Sequence, residues 1–230
     1  IEQLAKTLLK TPKVVKIAVS KPAEKIRQSA YVCYESQKLG IIQSMFQKGD
    51  LKRVIIFAGK INKTKEVSRA LLRMDINAGE MHSDLTQAER DEMMFRFKSG
   101  QIDVLVATDI LSRGIDIDDI AMVINYDVPR DAEDYVHRIG RTARAERDGR
   151  AVTFICQEDI HYFLQIERFL ERSVTKEQLP EELGTGPEYK AVEKKDRKGK
   201  RRGRGEKKNF NRSHHRRKQT KESRQKKVTE

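Results

Sequence analysis

Along the chain, short unbroken apolar runs alternate with longer stretches whose apolar positions recur at helical spacing. Strands are predicted at Tyr31–Tyr34, Arg53–Phe57, Asn77–Met81, Asp103–Ala107, Ala121–Tyr126 and Ala151–Cys156. Three of them contain continuous hydrophobic runs (VIIF, VLVA, AMVI), the pattern of parallel strands covered on both faces. Helices are predicted between them at Glu35–Lys48, Asn62–Met74, Thr86–Ser99, Asp131–Arg141 and Asp159–Glu171. Val67, Leu71 and Leu72 are expected on one helix face, and Met93, Met94 and Phe97 on another. Gly40 falls inside the first helix, and Gly100 stands where a left-handed cap would end the third. Repeated βα units of this kind predict an α/β fold, a doubly wound parallel sheet. The flanks fit less well. Residues 1–28 read as a helix (Glu2–Lys10), a short strand (Val14–Val19) and a polar linker (Ser20–Gln28). The βα domain is expected over residues 29–172, a transition segment over 173–189, and a low-complexity basic tail over 190–230.

Charge sharpens that division. The 230 residues carry 48 Lys and Arg against 35 Asp and Glu, a formal net charge of +13. Residues 190–230 hold 19 basic and 5 acidic side chains, which leaves 29 against 30 for the rest. The positive excess therefore belongs to the tail. With Ala191, Val192, Phe210 and Val228 as its only hydrophobic residues, the tail is predicted to be disordered when free, because it buries too little to offset the entropy of ordering. No apolar run approaches a membrane span, and no secretory signal is visible at the N-terminus. Cys33 and Cys156 form no metal-ligand spacing and are expected to be buried small hydrophobes. Together these features predict a cytoplasmic protein without a membrane partner or a metal site of its own.

Candidate chemistry follows the strands, because open α/β sheets bind ligands outside their carboxyl ends. One polar stretch is His82–Gln87 with Arg90, a second is Thr108–Asp116, and a third is the helix Tyr135–Arg144. Arginines at i and i+3 in that helix predict a cationic ridge of Arg138 and Arg141, with Arg144 at its edge. Gly140 among them suggests close approach of a backbone or ligand. Two explanations fit the ridge. The arginines would either meet a nucleotide phosphate or pair on the surface with Glu133, Asp134, Glu146 and Asp148.

The segments TDILSRGIDI and YVHRIGRTAR resemble motifs V and VI of the DEAD-box RNA helicases. VIIFAGK (Val54–Lys60) resembles motif IV, and Gln87 and Arg90 match the family's QxxR. The resemblance covers residues 1–172. The variants HSDL and RTARAE look most like RhlE-like bacterial members. The resemblance implies a RecA-like helicase C-terminal lobe of the P-loop NTPase type. It also implies that residues 1–28 are the end of a first lobe and the linker between lobes. GxxxxGK[ST], an Asp-Glu-Ala-Asp run and SAT are not found in the chain, so the ATP phosphates and Mg2+ would be held by that first lobe.

The resemblance also implies roles. Arg138 and Arg141 match arginine fingers that reach the γ-phosphate of ATP, and Gly114 and Asp116 match the nucleotide side, Asp116 accepting from the ribose. Ser83, Gln87, Arg90, Thr108 and Arg113 match positions that hold the RNA backbone, so recognition would be independent of base sequence. His137, Asp109 and Arg144 would couple the two sites, with Asp109 also bracing its loop against the arginine helix. Ser83 and Ala143 stand where many members have glycine, and Ala58-Gly59-Lys60 departs from the usual end of motif IV. Such a lobe would act as a monomer with the first lobe of the same protein and would be inactive alone. Two rivals stay open: an RNA-binding or annealing module dominated by the tail, and a DNA-directed helicase of the same superfamily.

Overall fold

The computed structural model describes residues 26–49, 51–109, 120–142 and 148–190. The predicted N-terminal helix, strand and most of the linker, and the basic tail from residue 191, lie outside the described residues. Among the described residues, seven parallel strands form one sheet: β1 (Ile26–Val32), β2 (Val54–Phe57), β3 (Ala78–Met81), β4 (Val104–Ala107), β5 (Met122–Asn125), β6 (Gly149–Ile155) and β7 (Thr175–Glu177). Their order across the sheet is β3-β4-β2-β5-β6-β1-β7. The helices are α1 (Lys38–Gln47), α2 (Ile61–Arg73), α3 (Gln87–Lys98), α4 (Ala132–Ile139) and α5 (Ile160–Leu170).

Alternation along the central strands builds the layers. Val54 and Ile56 of β2 join Val104, Val106 and Ile124 under Ile41 and Ile42 of α1 and Val67 and Leu71 of α2. Ile55 and Phe57 point the other way, with Leu105 and Val123, onto Phe97 of α3. On that second face Tyr135, Val136 and Ile139 of α4 and Phe163 and Ile166 of α5 cover Ala30, Ala151 and Ile155. The unbroken apolar runs are therefore strands buried on both faces.

Caps explain the boundaries of α3 and the start of α4. Thr86 accepts from the Glu89 amide and Glu89 reaches back to Thr86, a capping box at the start of α3. Gly100 closes that helix with φ +77. Asp131 caps α4 by accepting from the Glu133 amide. The helix predicted from Glu35 begins as a 3-10 turn, Glu35–Gln37, and becomes α-helical only at Lys38. Leu72 does not share the face of Val67 and Leu71 but is 51% exposed, because one further residue carries it about 100° around the helix.

Both flanks differ from expectation. β1 starts at Ile26, inside the predicted polar linker, and runs in register with β6 from Ile26↔Gly149 to Val32↔Ile155. Its polar residues find distant partners: Gln28 Oε1 accepts from Tyr135 Oη at 3.1 Å. The predicted transition segment is a folded strap. β7 pairs with β1, and Gln37 Nε2 donates to the carbonyls of Leu183 (2.8 Å) and Thr185 (3.2 Å). Leu183 fills the notch over Gly40, where a Cβ would stand 2.5 Å from its Cδ2. Tyr189 Oη donates to Glu167 Oε2 at 2.7 Å. A cavity of about 660 Å3 opens between parts of the strap, α1 and the sheet.

Candidate functional site

The candidate residues gather at the carboxyl edge of the sheet. Asp109 follows β4, Asp127 follows β5, and α4 brings Arg138 between them. Arg138 is 2% exposed and points inward. Its Nε and Nη2 donate to the two carboxylate oxygens of Asp109 at 2.6 and 3.0 Å. Nη1 donates to the Asp127 carbonyl at 2.9 Å and to Asn125 Oδ1 at 3.4 Å, and the guanidinium lies 5.3 Å from the centre of the Phe57 ring. Asn125 in turn donates to Thr153 Oγ1 at 3.1 Å. A planar fork matched to a carboxylate in this way is held rigidly.

This arrangement corrects the predicted ridge. Arg138 does not share a surface with Arg141, and its fork is bonded to Asp109. Its partner is none of the four surface acids considered from the sequence. Asp109, at the exit of β4, is bonded to Arg138 of α4. Gly140 is not inside the helix but caps its end with φ −66, and a Cβ there would stand 3.0 Å from the Val136 carbonyl. The glycine thus serves the turn that ends α4.

Arg141 follows that turn and is half-buried, with Nε donating to the His137 carbonyl at 3.2 Å. Thr142 beside it is buried, donates from Oγ1 to the Ile120 carbonyl at 2.6 Å, and bridges to Ile120 in parallel. This anchor fixes the direction in which Arg141 leaves α4. His137 is exposed on the same helix. Arg113, Gly114, Asp116 and Arg144 lie outside the described residues.

The second cluster sits at the ends of β3 and β4. The Thr108 amide donates to the Met81 carbonyl at 3.1 Å, which joins the two strand exits. Arg90 reaches back from α3 and donates to the Ser83 carbonyl at 2.9 Å. Gln87 Nε2 donates to Asp91 Oδ1 at 2.8 Å along the same helix. Ser83, Arg90 and Thr108 are therefore brought together, with Gln87 on the adjoining helical turn. His82 is buried beneath them, with Nε2 3.5 Å from Glu80 Oε1.

Sequence reasoning missed a charged network beside the first cluster. Lys38 is 1% exposed, yet its Nζ lies 2.7 Å from Glu35 and 2.9 Å from Asp127. Burial opposes its charge, but the Asp127 and Glu35 carboxylates overcome that and raise its pKa. Burial likewise works against ionised Glu35, but hydrogen bonds from Lys38 and Lys63 hold its pKa below the usual value. Asp159 nearby is pushed up to about 6 by burial, with Glu158 and Asp127 adding to the effect and Lys38 opposing it. The one signal that could have found the network is Asp127 itself, a carboxylate standing just after the AMVIN run and Tyr126. Cys33 and Cys156 are both buried. Among the described residues, no group of three or more His, Cys, Asp or Glu is placed to hold a metal ion. No described helix is long and apolar enough to cross a membrane.

The family described as "Helicase conserved C-terminal domain" matches residues 37–146. The chain is 37% identical over 190 residues to a probable ATP-dependent RNA helicase, DDX23, of Homo sapiens, covering 82% of this chain and 23% of that protein. It is 35% identical over 180 residues to the ATP-dependent RNA helicase DeaD of Buchnera aphidicola, covering 78% and 30% respectively. The chain thus spans between about a quarter and a third of the length of these curated relatives. Among solved structures it resembles the E. coli DEAD-box protein SrmB, crystallised with regulator of ribonuclease activity A. That match has 30% identity and a TM-score of 0.65, covering 70% of this chain and 96% of that one. S. cerevisiae Dbp5 bound to RNA and ADP BeF3 matches at 26% identity and a TM-score of 0.67, covering 76% and 48%.

Proposed function

The chain belongs to the DEAD-box family and carries its C-terminal RecA-like lobe, and from that premise we propose that it works as one half of an RNA-stimulated ATP-hydrolysing helicase. In this reading Ser83, Gln87, Arg90 and Thr108 hold the phosphate backbone of one RNA strand. Arg141 reaches across a cleft to ATP held, with Mg2+, by a first lobe. The observation that carries the reading is the separation of the two arginines. Arg138 is committed to Asp109, whereas Arg141 is half-buried just past the end of α4, with its Nε on the His137 carbonyl. We therefore reassign Arg138 from finger to brace and keep the phosphate role for Arg141.

The chemistry asked of this lobe is positioning and charge. A guanidinium placed at the γ-phosphate stabilises negative charge that grows in the transition state, an effect of about 10³–10⁵ in rate. Arg90, pinned through Nη2 to the Ser83 carbonyl, would meet backbone phosphates without reading bases. Asp116 and Gly114 complete the nucleotide side, and His137 and Arg144 link the two sites. The assignment to an RhlE-like subgroup rests on HSDL and RTARAE alone.

The test is ATP turnover by the full-length protein with RNA, with DNA and with neither. RNA should stimulate and DNA should not, and Arg141→Ala should abolish the stimulated turnover. Unchanged turnover in Arg141→Ala would sink the finger assignment. Equal stimulation by DNA would favour a DNA-directed enzyme. RNA binding without any turnover would favour an annealing module.

A further inference from the structure

We propose that Asp127 is a positioning residue that ties the Gly59 loop to the arginine helix, so that displacement of one is felt by the other. The inference rests on the helicase reading above and extends it, in that RNA held by this lobe would also draw on the Gly59 loop at the end of β2. Three bonds converge on this residue. Its Oδ2 accepts from the Gly59 amide at 2.8 Å, its Oδ1 lies 2.9 Å from Lys38 Nζ, and its own carbonyl accepts from Arg138 Nη1 at 2.9 Å.

The place of these bonds in the sheet gives them meaning. β2 and β5 are neighbours, but β2 leads through α2 towards β3, while β5 leads through α4 to β6 on the other side. α2 and α4 also cover opposite faces. The strand exits therefore diverge at this point, and the crevice between them is where open α/β sheets hold ligands. The Asp127 carboxylate spans that divergence. A Cβ on Gly59 would stand 3.4 Å from Asp127 Oδ2, so the loop lies directly against the carboxylate. Buried Lys38 supplies the counter-charge and rests 4.7 Å from the Tyr126 ring centre. A loop pulled by RNA would draw on the carboxylate, and through the same residue's carbonyl on the guanidinium that seats α4.

Two double variants of the full-length protein separate positioning from mere stability. Lys38→Met removes the buried charge in both. With Asp127→Asn the acceptor for the Gly59 amide is kept, and with Asp127→Ala it is removed. Melting temperatures should be similar. The RNA concentration giving half-maximal turnover should stay within about twofold of the unmodified protein for the Asn pair and rise roughly fivefold to tenfold for the Ala pair, the scale of one hydrogen bond, with kcat lowered as well. Matching kinetics in the two pairs would overturn the inference. A second measurement needs no variant. In the unmodified protein, RNA should slow amide exchange at residues 58–60 and 136–141 together, and protection confined to the first stretch would also overturn it. Absence of RNA-stimulated turnover in the unmodified protein would remove the helicase reading, and this inference with it.

Discussion

Arg138 and Arg141 stand three residues apart, and their environments predict opposite consequences of losing each. Arg138→Ala leaves Asp109 without its fork, empties a buried site beside Phe57 and frees the Asp127 carbonyl. It should destabilise the lobe by about 3 kcal/mol, the lower end of the range for a broken buried pair because Asp109 is 47% exposed and can rehydrate. Arg141→Ala should move stability by no more than about 0.5 kcal/mol while abolishing turnover. Calorimetry on both variants checks the contrast. Asp159 gives a prediction in pH. Its pKa rises from an ordinary 3.8 to about 6, so between those values the folded state holds a proton that the unfolded state has released. Its contribution to stability therefore declines as pH rises from about 3.8 to about 6 and is level above that. Asp159→Asn should remove that decline and raise the melting temperature at pH 7. A melting series across pH in both proteins measures it. Lys38 shifts in the same sense but far higher on the pH scale, with a raised pKa whose stabilisation is lost only in strong base.

Helices were legible where local chemistry sets their ends. The Thr86–Glu89 box, the Asp131 cap and Gly100 are all visible as residues, and the boundaries of α3 and α4 lie within one or two positions of expectation. β1 and the strap were not legible, for one shared reason. Ile26, Arg27 and Gln28 read as linker because their partners lie more than a hundred residues away, as do those of Gln37 in the strap. In the site, the motifs show which residues gather but not which way they face. Periodicity put Arg138 and Arg141 on one ridge, and only the exits of β4 and β5 reveal that Arg138 turns inward. The strap offers its own test. A Cβ on Gly186 would stand 2.1 Å from the Val32 carbonyl, a backbone atom that cannot rotate away. Gly186→Ala should therefore cost about 1–3 kcal/mol and loosen the strap. Faster amide exchange across Thr175–Glu177 would report it, and unchanged protection would refute the locking role.

For the whole molecule, charge and site are separable. The first 189 residues are nearly neutral, and residues 190–230 carry the excess of 19 basic over 5 acidic side chains. Removing residues 191–230 should weaken RNA binding and flatten its salt dependence, by about 0.7 in the log–log slope for each phosphate of a single strand that the tail no longer neutralises. Turnover at saturating RNA should persist, and a salt titration with and without the tail measures both. The strand order has a further consequence, for synthesis. β1 leaves the ribosome before the other described strands, yet its neighbours in the sheet are β6 and β7, which end at Ile155 and Glu177. Until those residues emerge, the nascent chain carries a strand with both edges open. Pairing across such separations is slow, and open edges invite pairing with other chains. Folding of this lobe therefore finishes only once its last strand is translated, and the waiting β1 edge is where holding chaperones would have most to protect.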